Sequence, residues 1–261
     1  TWLIPRIRHW FDSFVKKPSL LVEPFAGGGI VSMTAAFERL ADRVLMVELD
    51  EHVASVWQVL LNGDAEWLAD RIMSFNVTQE SLAQELNKSG GSLREVAFVT
   101  VLRNRTSHGG IMAHGAGLIK NGESGKGITS RWYPQTLAKR VRDIGKARER
   151  IQFVHGDGLK VMREHADEPD TVFFIDPPYT AAGKRAGTRL YTYNELDHEA
   201  LFVLARQLSG DFLMPYDNAE GVRAMAARHG FDVVAIPMQN THHAEMDELL
   251  IGRNLDWARR A

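Results

Sequence analysis

Short apolar runs that alternate with helical patterns constrain the fold of this chain more than any other feature of its sequence. Seven runs of four to seven residues are apolar and bounded by turn or polar residues, as buried strands are, and helical apolar spacing separates most of them. Such alternation is typical of an α/β fold whose mainly parallel sheet is covered by helices on both faces. The strand-like runs are 20–25, 43–49, 151–157, 171–175, 211–216, 232–238 and 248–251, and the helical segments are 30–41, 51–61, 198–208 and 220–229.

The alternation breaks between residues 63 and 149, where helical segments and a glycine-rich loop intervene. Residues 108–127 contain seven glycines, and a long loop of this kind is usually functional or disordered. Charge is concentrated here too: residues 88–150 carry a net charge of +9, from thirteen Lys or Arg and four acids, whereas the rest of the chain carries −11. A basic block inside an acidic frame indicates a surface that faces a polyanion. The alternative is a solvated helical face beside a flexible loop.

The absence of cysteine excludes disulfides, thiolate metal sites and a cysteine nucleophile, and it favours a reducing, cytoplasmic location. No apolar run approaches the length of a membrane span, so we expect no membrane association. His108, His114, His242 and His243 match no ligand spacing, and we expect no bound metal. Because Thr1 is not an initiator methionine, we expect a natural N-terminal segment to precede it.

A glycine-rich turn joins the first strand-like run to the helical segment that follows. Its sequence is Glu23-Pro24-Phe25-Ala26-Gly27-Gly28-Gly29. Glycines at such a turn let a ligand approach the backbone closely, and the helix N-terminus offers free N–H groups. The spacing matches neither the dinucleotide fingerprint nor a phosphate loop. Glu48 ends the second run about twenty residues later, where an acid can hold both hydroxyls of a ribose. Turn and acid together fit an adenosine ligand; the alternative is a structural turn with a surface acid.

A tetrapeptide of one aspartate, two prolines and one tyrosine follows the fourth strand-like run, and it reads Asp176-Pro177-Pro178-Tyr179. Ligands of open α/β sheets bind at the carboxyl ends of the strands. The prolines fix the backbone and lack N–H donors, so that carbonyl acceptors remain. Asp176 adds a carboxylate acceptor and Tyr179 a flat surface for stacking. Such a site suits a planar group that carries an NH₂, although Pro-Pro after a strand is by itself more often a rigid turn.

The glycine turn and the tetrapeptide resemble motif I and motif IV of the S-adenosylmethionine-dependent DNA adenine-N6 methyltransferases. Motif I precedes motif IV with the basic region between them, which is similar to the α-group (Dam-like) arrangement with its inserted target-recognition domain. The similarity extends to Glu48, Asp50, 155–157, 191–192, 197–198 and 248–251. Two features depart from the family. The aromatic-Gly-Gly-Lys motif that helps to hold the methionine part of the cofactor is absent near Thr1. The recognition-hairpin pattern of GATC-specific members is not recognisable, although 104–107 resembles the family.

The resemblance implies a Rossmann-like α/β fold with a mainly parallel seven-stranded methyltransferase sheet and a mostly helical target-recognition domain inserted into it. We expect the S-adenosylmethionine-binding catalytic domain to comprise 1–62 and 150–261, and the DNA target-recognition domain 63–149. The expected catalytic residues are Asp176, Pro177, Pro178 and Tyr179. The expected cofactor-binding residues are Pro24, Phe25, Ala26, Gly27, Gly28, Gly29, Glu48 and Asp157. The expected DNA-binding residues are Arg103, Asn104, Arg105, Lys120, Lys126 and Arg131.

Some of these residues have structural alternatives. Asp157 could accept a hydrogen bond from the adenine amino group of the cofactor, or it could cap the helix after it. Asp197 is expected to be the N-cap of a helix over 198–209. Trp132 and Tyr133 lie among basic residues, where they fit either base stacking or a small core of the insert. In the basic block, an Arg such as Arg105 can read guanine and an Asn can read adenine.

The reaction that the resemblance implies is methyl transfer to the N6 amine of an adenine that is flipped out of duplex DNA. Asp176 and the Pro177 carbonyl would accept the two N–H bonds, with Tyr179 and Phe25 stacked on the ring. Cytosine-C5 methylation requires a cysteine nucleophile and is excluded. The remaining alternatives are cytosine N4, an RNA or protein amine, and a non-catalytic DNA-binding module with a degenerate methyltransferase frame. We expect a monomer that acts on double-stranded DNA, as restriction-modification methyltransferases do.

Overall fold

Two compact units make up the part of the chain that the structure describes. The structure is a computed structural model that describes residues 3–88, 90–110, 117–120, 122, 125–178, 196–239 and 245–259. The first unit contains the described residues up to Leu49 and from Arg150 onward, and the second runs from Asp50 to Glu149. The second unit therefore begins before residue 63, at which the sequence predicts the insert to begin. The roles assigned to the two domains stay a prediction.

A seven-stranded sheet forms the centre of the first unit. Its strands are β1 Leu20–Glu23, β2 Arg43–Glu48, β3 Ile151–His155, β4 Thr171–Phe174, β5 Phe212–Asp217, β6 Asp232–Gln239 and β7 Glu245–Gly252. The strand order is β3-β2-β1-β4-β5-β7-β6. The first five strands pair in parallel, whereas β7 is antiparallel to both β5 and β6. The sheet is thus mixed but mainly parallel, which confirms the α/β methyltransferase fold expected from the sequence.

Helices flank the sheet and build the second unit. Those of the first unit are α1 Leu3–Asp12, α2 Ile30–Glu38, α8 Gly158–Glu164, α9 His198–Gln207, α10 Glu220–His229 and α11 Asp256–Arg259. Those of the second unit are α3 Glu51–Leu61, α4 Ala65–Ser74, α5 Gln79–Leu86, α6 Leu93–Thr106 and α7 Pro134–Lys146. Asp197 accepts a hydrogen bond from the Ala200 amide at 3.0 Å and begins α9, as the sequence predicts.

The order of the strands creates a crevice at the centre of the sheet. β1 pairs with β2 on one side and with β4 on the other, so that Val22 lies between Leu45 and Phe173. The chain therefore proceeds outward through β2 and β3 and then returns to the opposite side of β1. Such a reversal opens a ligand-binding crevice outside the carboxyl ends of the two central strands. The glycine turn after β1 and the tetrapeptide after β4 consequently begin on neighbouring strands.

Side-chain alternation along these strands defines the buried face. Val22, Phe173 and Met214 belong to one apolar cluster, which includes Leu201 and Phe202 of α9. Because successive side chains of a strand point to opposite faces, Glu23 lies on the other side of the sheet from Val22.

The second unit has its own apolar core. Phe98 of α6 is buried and makes an edge contact with Phe75, with ring centroids 5.2 Å apart. Trp132 is also buried, and its ring centroid lies 6.2 Å from that of Phe75. The side chain of Trp132 is therefore part of this core, whereas Tyr133 is half-exposed. A capping box between Ser92 and Glu95 begins α6.

A close backbone approach at Gly210, just before β5, leads to a testable prediction. A Cβ atom at Gly210 would lie 1.7 Å from the carbonyl oxygen of Thr171. We expect Gly210→Ala to lower the free energy of unfolding by about 1–3 kcal/mol or more, because the backbone must shift to admit the methyl group. Urea unfolding of the variant and the wild type measures this difference.

Gly221 provides a matched control within α10, since a Cβ there meets no atom within 4 Å. Gly221→Ala should be neutral or raise the free energy of unfolding by up to about 1 kcal/mol, as alanine favours helix. Equal unfolding midpoints for the two variants would contradict the assigned contact at Gly210.

Candidate active site

The glycine turn after β1 is a tight backbone structure that only glycine adopts readily. Gly27 and Gly29 have φ angles of 48° and 62°, in the left-handed region. The Ala26 amide donates to the Val47 carbonyl at 2.9 Å, which ties the turn to β2, and the Gly29 amide donates to the Ala26 carbonyl at 2.7 Å. A Cβ atom at Gly27 or Gly28 would meet nothing within 4 Å. The turn therefore borders open space that a ligand can occupy.

Glu48 lies at the end of β2 and contacts this turn directly. Its Oε2 accepts a hydrogen bond from the Gly27 amide at 2.8 Å. The sequence predicts that this carboxylate accepts hydrogen bonds from a ribose, which stays a prediction. The structure adds a second task, because the same side chain helps to hold the backbone of the glycine turn.

Glu23 is a buried carboxyl group at the end of β1, directly before the turn, and the sequence alone assigns it no role of its own. It is 2% exposed and accepts a hydrogen bond from the Ser32 amide of α2 at 2.9 Å. Burial raises the pKa of Glu23 to about 8, and the nearby charges of Asp176 and Glu48 raise it as well. Three carboxyl groups from three strand ends thus share one edge of the sheet. An acid at the end of an apolar strand, directly before the turn, was the signal available in the sequence.

The tetrapeptide begins where the ladder of β4 ends. Ile175 is fully buried, and its amide still donates to the Leu213 carbonyl of β5 at 2.9 Å. Asp176 is exposed, Pro177 is buried and Pro178 is intermediate. The carboxylate of Asp176 therefore stands at the open side of a rigidly held segment. Tyr179 lies outside the described residues.

A tyrosine–histidine pair lies close to Asp176, and sequence reasoning missed it. The Nδ1 atom of His198, the first residue of α9, is 2.9 Å from the hydroxyl of Tyr216 on β5. Tyr216 is 1% exposed; burial raises the pKa of its hydroxyl, and so does the nearby charge of Asp176. Burial lowers the pKa of His198, which favours its neutral form. The contact joins the start of α9 to β5, which pairs with β4 in the sheet.

Asp157 and Gly158 connect the end of β3 with the glycine turn. Asp157 Oδ1 accepts a hydrogen bond from the Leu159 amide at 2.9 Å, so this residue caps α8. Helix capping was the structural alternative for Asp157, and its contact with a cofactor stays a prediction. A Cβ atom at Gly158 would lie 2.1 Å from the Pro24 carbonyl oxygen, so only glycine lets α8 pack against the turn. The signal in the sequence for this close contact was the glycine directly after Asp157.

Ion pairs divide the basic residues of 88–149 into two groups. One group is paired: Lys88–Glu85 at 2.7 Å, Arg94–Asp64 at 2.5 Å, Lys139–Asp143 at 2.6 Å, Arg142–Glu66 at 2.7 Å and Lys146–Asp143 at 2.9 Å. The other group forms no ion pair with any described residue and comprises Arg103, Arg105, Lys120, Lys126, Arg131, Arg140 and Arg148. All five basic side chains that the sequence assigns to DNA binding belong to the second group.

Asn104 is the sixth residue that the sequence assigns to DNA binding, and it stabilises the segment after α6. Its Nδ2 atom donates to the Gly110 carbonyl at 3.0 Å. Part of its hydrogen-bonding capacity is therefore used within the protein, and base recognition by Asn104 stays a prediction.

The described residues contain neither a candidate membrane-spanning helix nor a candidate metal-binding cluster. None of the helices there combines the length and the apolar character needed to cross a membrane. In the same residues, no three His, Cys, Asp or Glu side chains come together in a way that could hold a metal ion.

Comparison with known proteins assigns the chain to a class that fits this sheet and this site. The family model described as D12 class N6 adenine-specific DNA methyltransferase matches residues 1–232. The chain belongs to this family, and it is accordingly a methyltransferase. No curated protein matches the chain.

Solved structures with a similar course of the chain include two that are distant in sequence. A candidate RNA methyltransferase, PH1948 from Pyrococcus horikoshii, is 10% identical, with a TM-score of 0.43 over 96% of this chain and 80% of that chain. The cofactor-bound protein Rv0187 from MTB is 11% identical, with a TM-score of 0.42 over 97% of this chain and 80% of that chain. The family model, and not these structures, carries the assignment.

The raised pKa of Glu23 predicts how stability depends on pH. Between the ordinary pKa of 4.5 and the folded-state value of about 8, the folded protein retains a proton that the unfolded chain releases. The stability linked to this proton is fully present below pH 4.5 and is lost as the pH rises through about 8. We expect Glu23→Gln to abolish this loss, which amounts to at most about 5 kcal/mol.

Urea unfolding of the wild type and Glu23→Gln from pH 5 to 9 checks this prediction, with the exposed Glu164→Gln as the matched control. The wild type and the control should lose stability relative to Glu23→Gln as the pH rises. Parallel pH profiles of all three proteins would show that Glu23 is ionised in the folded state.

Proposed function

We propose that this chain transfers a methyl group from S-adenosylmethionine to the N6 amine of an adenine in a specific site of double-stranded DNA. The observation that carries the proposal is the meeting of two motifs at one crevice. The glycine turn leaves β1 and Asp176 follows β4, and these strands are direct neighbours at the point where the strand order reverses. Membership of the adenine-specific DNA methyltransferase family supports DNA adenine as the substrate.

The residues at the crevice fit S-adenosylmethionine. Open space beside Gly27 and Gly28 accommodates a ligand close to the backbone, and no phosphate-binding pattern is needed for it. Glu48 holds the ribose hydroxyls, and the turn residues 24–29 surround the rest of the nucleoside. The carboxylates of Glu48 and Asp176 make the edge negative, which suits a ligand with a sulfonium and an ammonium group, whereas Glu23, with a pKa of about 8, adds no charge at neutral pH. When bound, S-adenosylmethionine supplies a methyl group that its sulfonium already activates.

Asp176 and Pro177 act on the amine of the target base. The Asp176 carboxylate and the Pro177 carbonyl each accept one N–H of the exocyclic amine, which orients the nitrogen lone pair. The two prolines contribute no N–H donor that could compete for the lone pair. An amine inside the base stack is out of reach, so the base is flipped out of the duplex, with Tyr179 and Phe25 as stacking surfaces. Positioning of this kind supplies much of the rate enhancement, and no covalent intermediate is required.

Methylation of mixed-sequence duplex DNA with labelled cofactor tests the proposal. N6-methyladenine in one recurring sequence context is the expected product after hydrolysis and chromatography. N4-methylcytosine, or label in RNA supplied in parallel, would replace the proposed target. Calorimetry of S-adenosylmethionine binding separates an enzyme from a non-catalytic DNA-binding module, because the module shows no cofactor binding.

Asp176→Ala should abolish methyl transfer and leave the affinity for S-adenosylmethionine within a few-fold of the wild type. The reason is that Asp176 contacts the target amine, whereas Glu48 contacts the cofactor. Single-turnover methylation and calorimetry measure the two effects separately. Asp167→Ala, which removes an exposed aspartate before β4, is the matched control. Wild-type rates in Asp176→Ala would remove this residue from the mechanism.

Glu48→Ala should weaken cofactor binding by about 1–3 kcal/mol, the cost of leaving buried hydroxyls without their acceptor. Glu48→Gln separates the two tasks of this residue, because an amide oxygen still accepts from the Gly27 amide but holds only one hydroxyl. We expect calorimetry to show an intermediate affinity for Glu48→Gln. Full affinity in Glu48→Gln would assign Glu48 to support of the turn alone, and full affinity in Glu48→Ala would place the ribose elsewhere.

A further inference from the structure

Glu23 has two carboxylate neighbours that the pairing of the strands places on its own face of the sheet. It lies opposite Met46 of β2, and because side chains alternate along a strand, Glu48 is the next residue of β2 on that face. On the other side, the register of β1 and β4 puts Glu23 level with Phe174, and Asp176 is the next residue on that face. The strand register thus brings the three carboxyl groups together, with Glu23 in the central strand and one step deeper than the other two.

The first turns of α2 enclose the side chain of Glu23. It is 2% exposed, and its Oε2 atom accepts a hydrogen bond from the Ser32 amide at 2.9 Å. Ser32 is itself fully buried, whereas Asp176 is exposed. The carboxyl group of Glu23 is therefore held in a dry position by a backbone donor, directly behind the open edge of the crevice.

Carboxylates, and not cations, act on Glu23 from the elements that pack against it. The glycine turn and β4 contain no titratable side chain, and β2 carries Glu48 at this end and Arg43 at the opposite end. Within α2 the one titratable side chain is that of Glu38, which pairs with Arg8 at 2.6 Å. The arrangement consequently leaves room for a positive charge that comes from a ligand.

A cation at this edge changes the protonation state of Glu23. Burial raises the pKa of Glu23 to about 8, and the charges of Asp176 and Glu48 raise it as well. An opposite charge within about 4–6 Å favours the ionised form of a carboxyl group and lowers its pKa by about 1–3. In the proposed function, the sulfur of the methyl donor faces the amine that Asp176 accepts, with the reacting atoms about 3–3.5 Å apart. The sulfonium charge is thereby placed beside the cluster that contains Glu23.

We propose that Glu23 releases its proton to the solvent when S-adenosylmethionine binds and retains it when S-adenosylhomocysteine binds, and that it thereby favours the methyl donor over the product. The inference rests on the proposed function, from which it takes the cofactor and its site. The two ligands share the nucleoside, the ammonium group and the carboxylate, and they differ in a methyl group and in the positive charge on sulfur. Only the sulfonium gains from the negative charge that remains on Glu23 when the O–H bond breaks. Glu23 thus determines specificity through its charge.

Calorimetric titration of both ligands from pH 6 to 9 tests this proposal. For the wild type, the affinity for S-adenosylmethionine relative to S-adenosylhomocysteine should rise roughly tenfold over this range and become constant above about pH 8. Glu23→Gln should give a constant ratio, because glutamine retains an oxygen that accepts from the Ser32 amide but has no proton to release. Glu38→Gln is the matched control, since it removes the exposed carboxylate of α2, and it should follow the wild type.

The number of protons exchanged with the buffer provides a second measurement, and the wild type alone is sufficient for it. Titrations near neutral pH in two buffers with different heats of ionisation give this number. The wild type should release up to one proton more with S-adenosylmethionine than with S-adenosylhomocysteine, and Glu23→Gln should show no such difference. A residue with only a structural role would change both affinities alike and would leave the proton count of the two ligands equal.

These outcomes separate the role of Glu23 from the proposed function. The inference is overturned if the wild type binds both ligands with an affinity ratio that does not depend on pH. It is also overturned if Glu23→Gln follows the wild-type profile, which would assign the proton to another group. In both cases, methylation of DNA by the wild type would leave the proposed function standing. If S-adenosylmethionine fails to bind at every pH, the proposed function fails and the inference fails with it.

Discussion

The parallel pairing of β1 with both β2 and β4 is the constraint on which the candidate site depends. It places the glycine turn and the Asp-Pro-Pro segment at the ends of neighbouring strands. In the sequence, most of the second unit and β3 lie between these two segments. Residues 50–149 fall within the connection from β2 to β3. A parallel pair needs such a crossover, and its length does not alter the register of the strands. A large unit can therefore be accommodated there without change to the crevice.

The crevice brings acidic groups together, and Glu23 shows how the fold tolerates them. Three ionised carboxylates at adjacent strand ends repel one another, and a buried one also loses its hydration. Protonation of Glu23, with a pKa of about 8, removes one charge from the set at neutral pH. Glu48 offsets part of the cost of its own charge by accepting a hydrogen bond from the Gly27 amide. The remaining negative potential lies at the edge where the proposed function places a cationic ligand.

The sequence was sufficient for the parts of the structure that follow from local pattern. Apolar alternation located the strands, and the residues at the ends of β1 and β4 identified the crevice because carboxyl ends of parallel strands share one edge. The Tyr216–His198 contact joins residues of two elements, and no periodicity reveals which partners meet. Asp157 shows the same limit, because a cap and a ligand contact both require an acid at that position. The pKa of Glu23 depends on burial, which only the packed fold determines.

The charges of the second unit illustrate why composition alone overstates the number of cations that a binding surface can offer. Lys139 and Arg140 are adjacent in sequence and equal in formal charge, yet Asp143 neutralises the first and no described acid neutralises the second. The difference arises from helical spacing, since an acid four residues after Lys139 shares its face of α7. The net charge of +9 over residues 88–150 therefore overstates the number of cations that are available to a ligand. Among the cations without a described acidic partner, partial burial distinguishes Arg105 from the exposed Arg140.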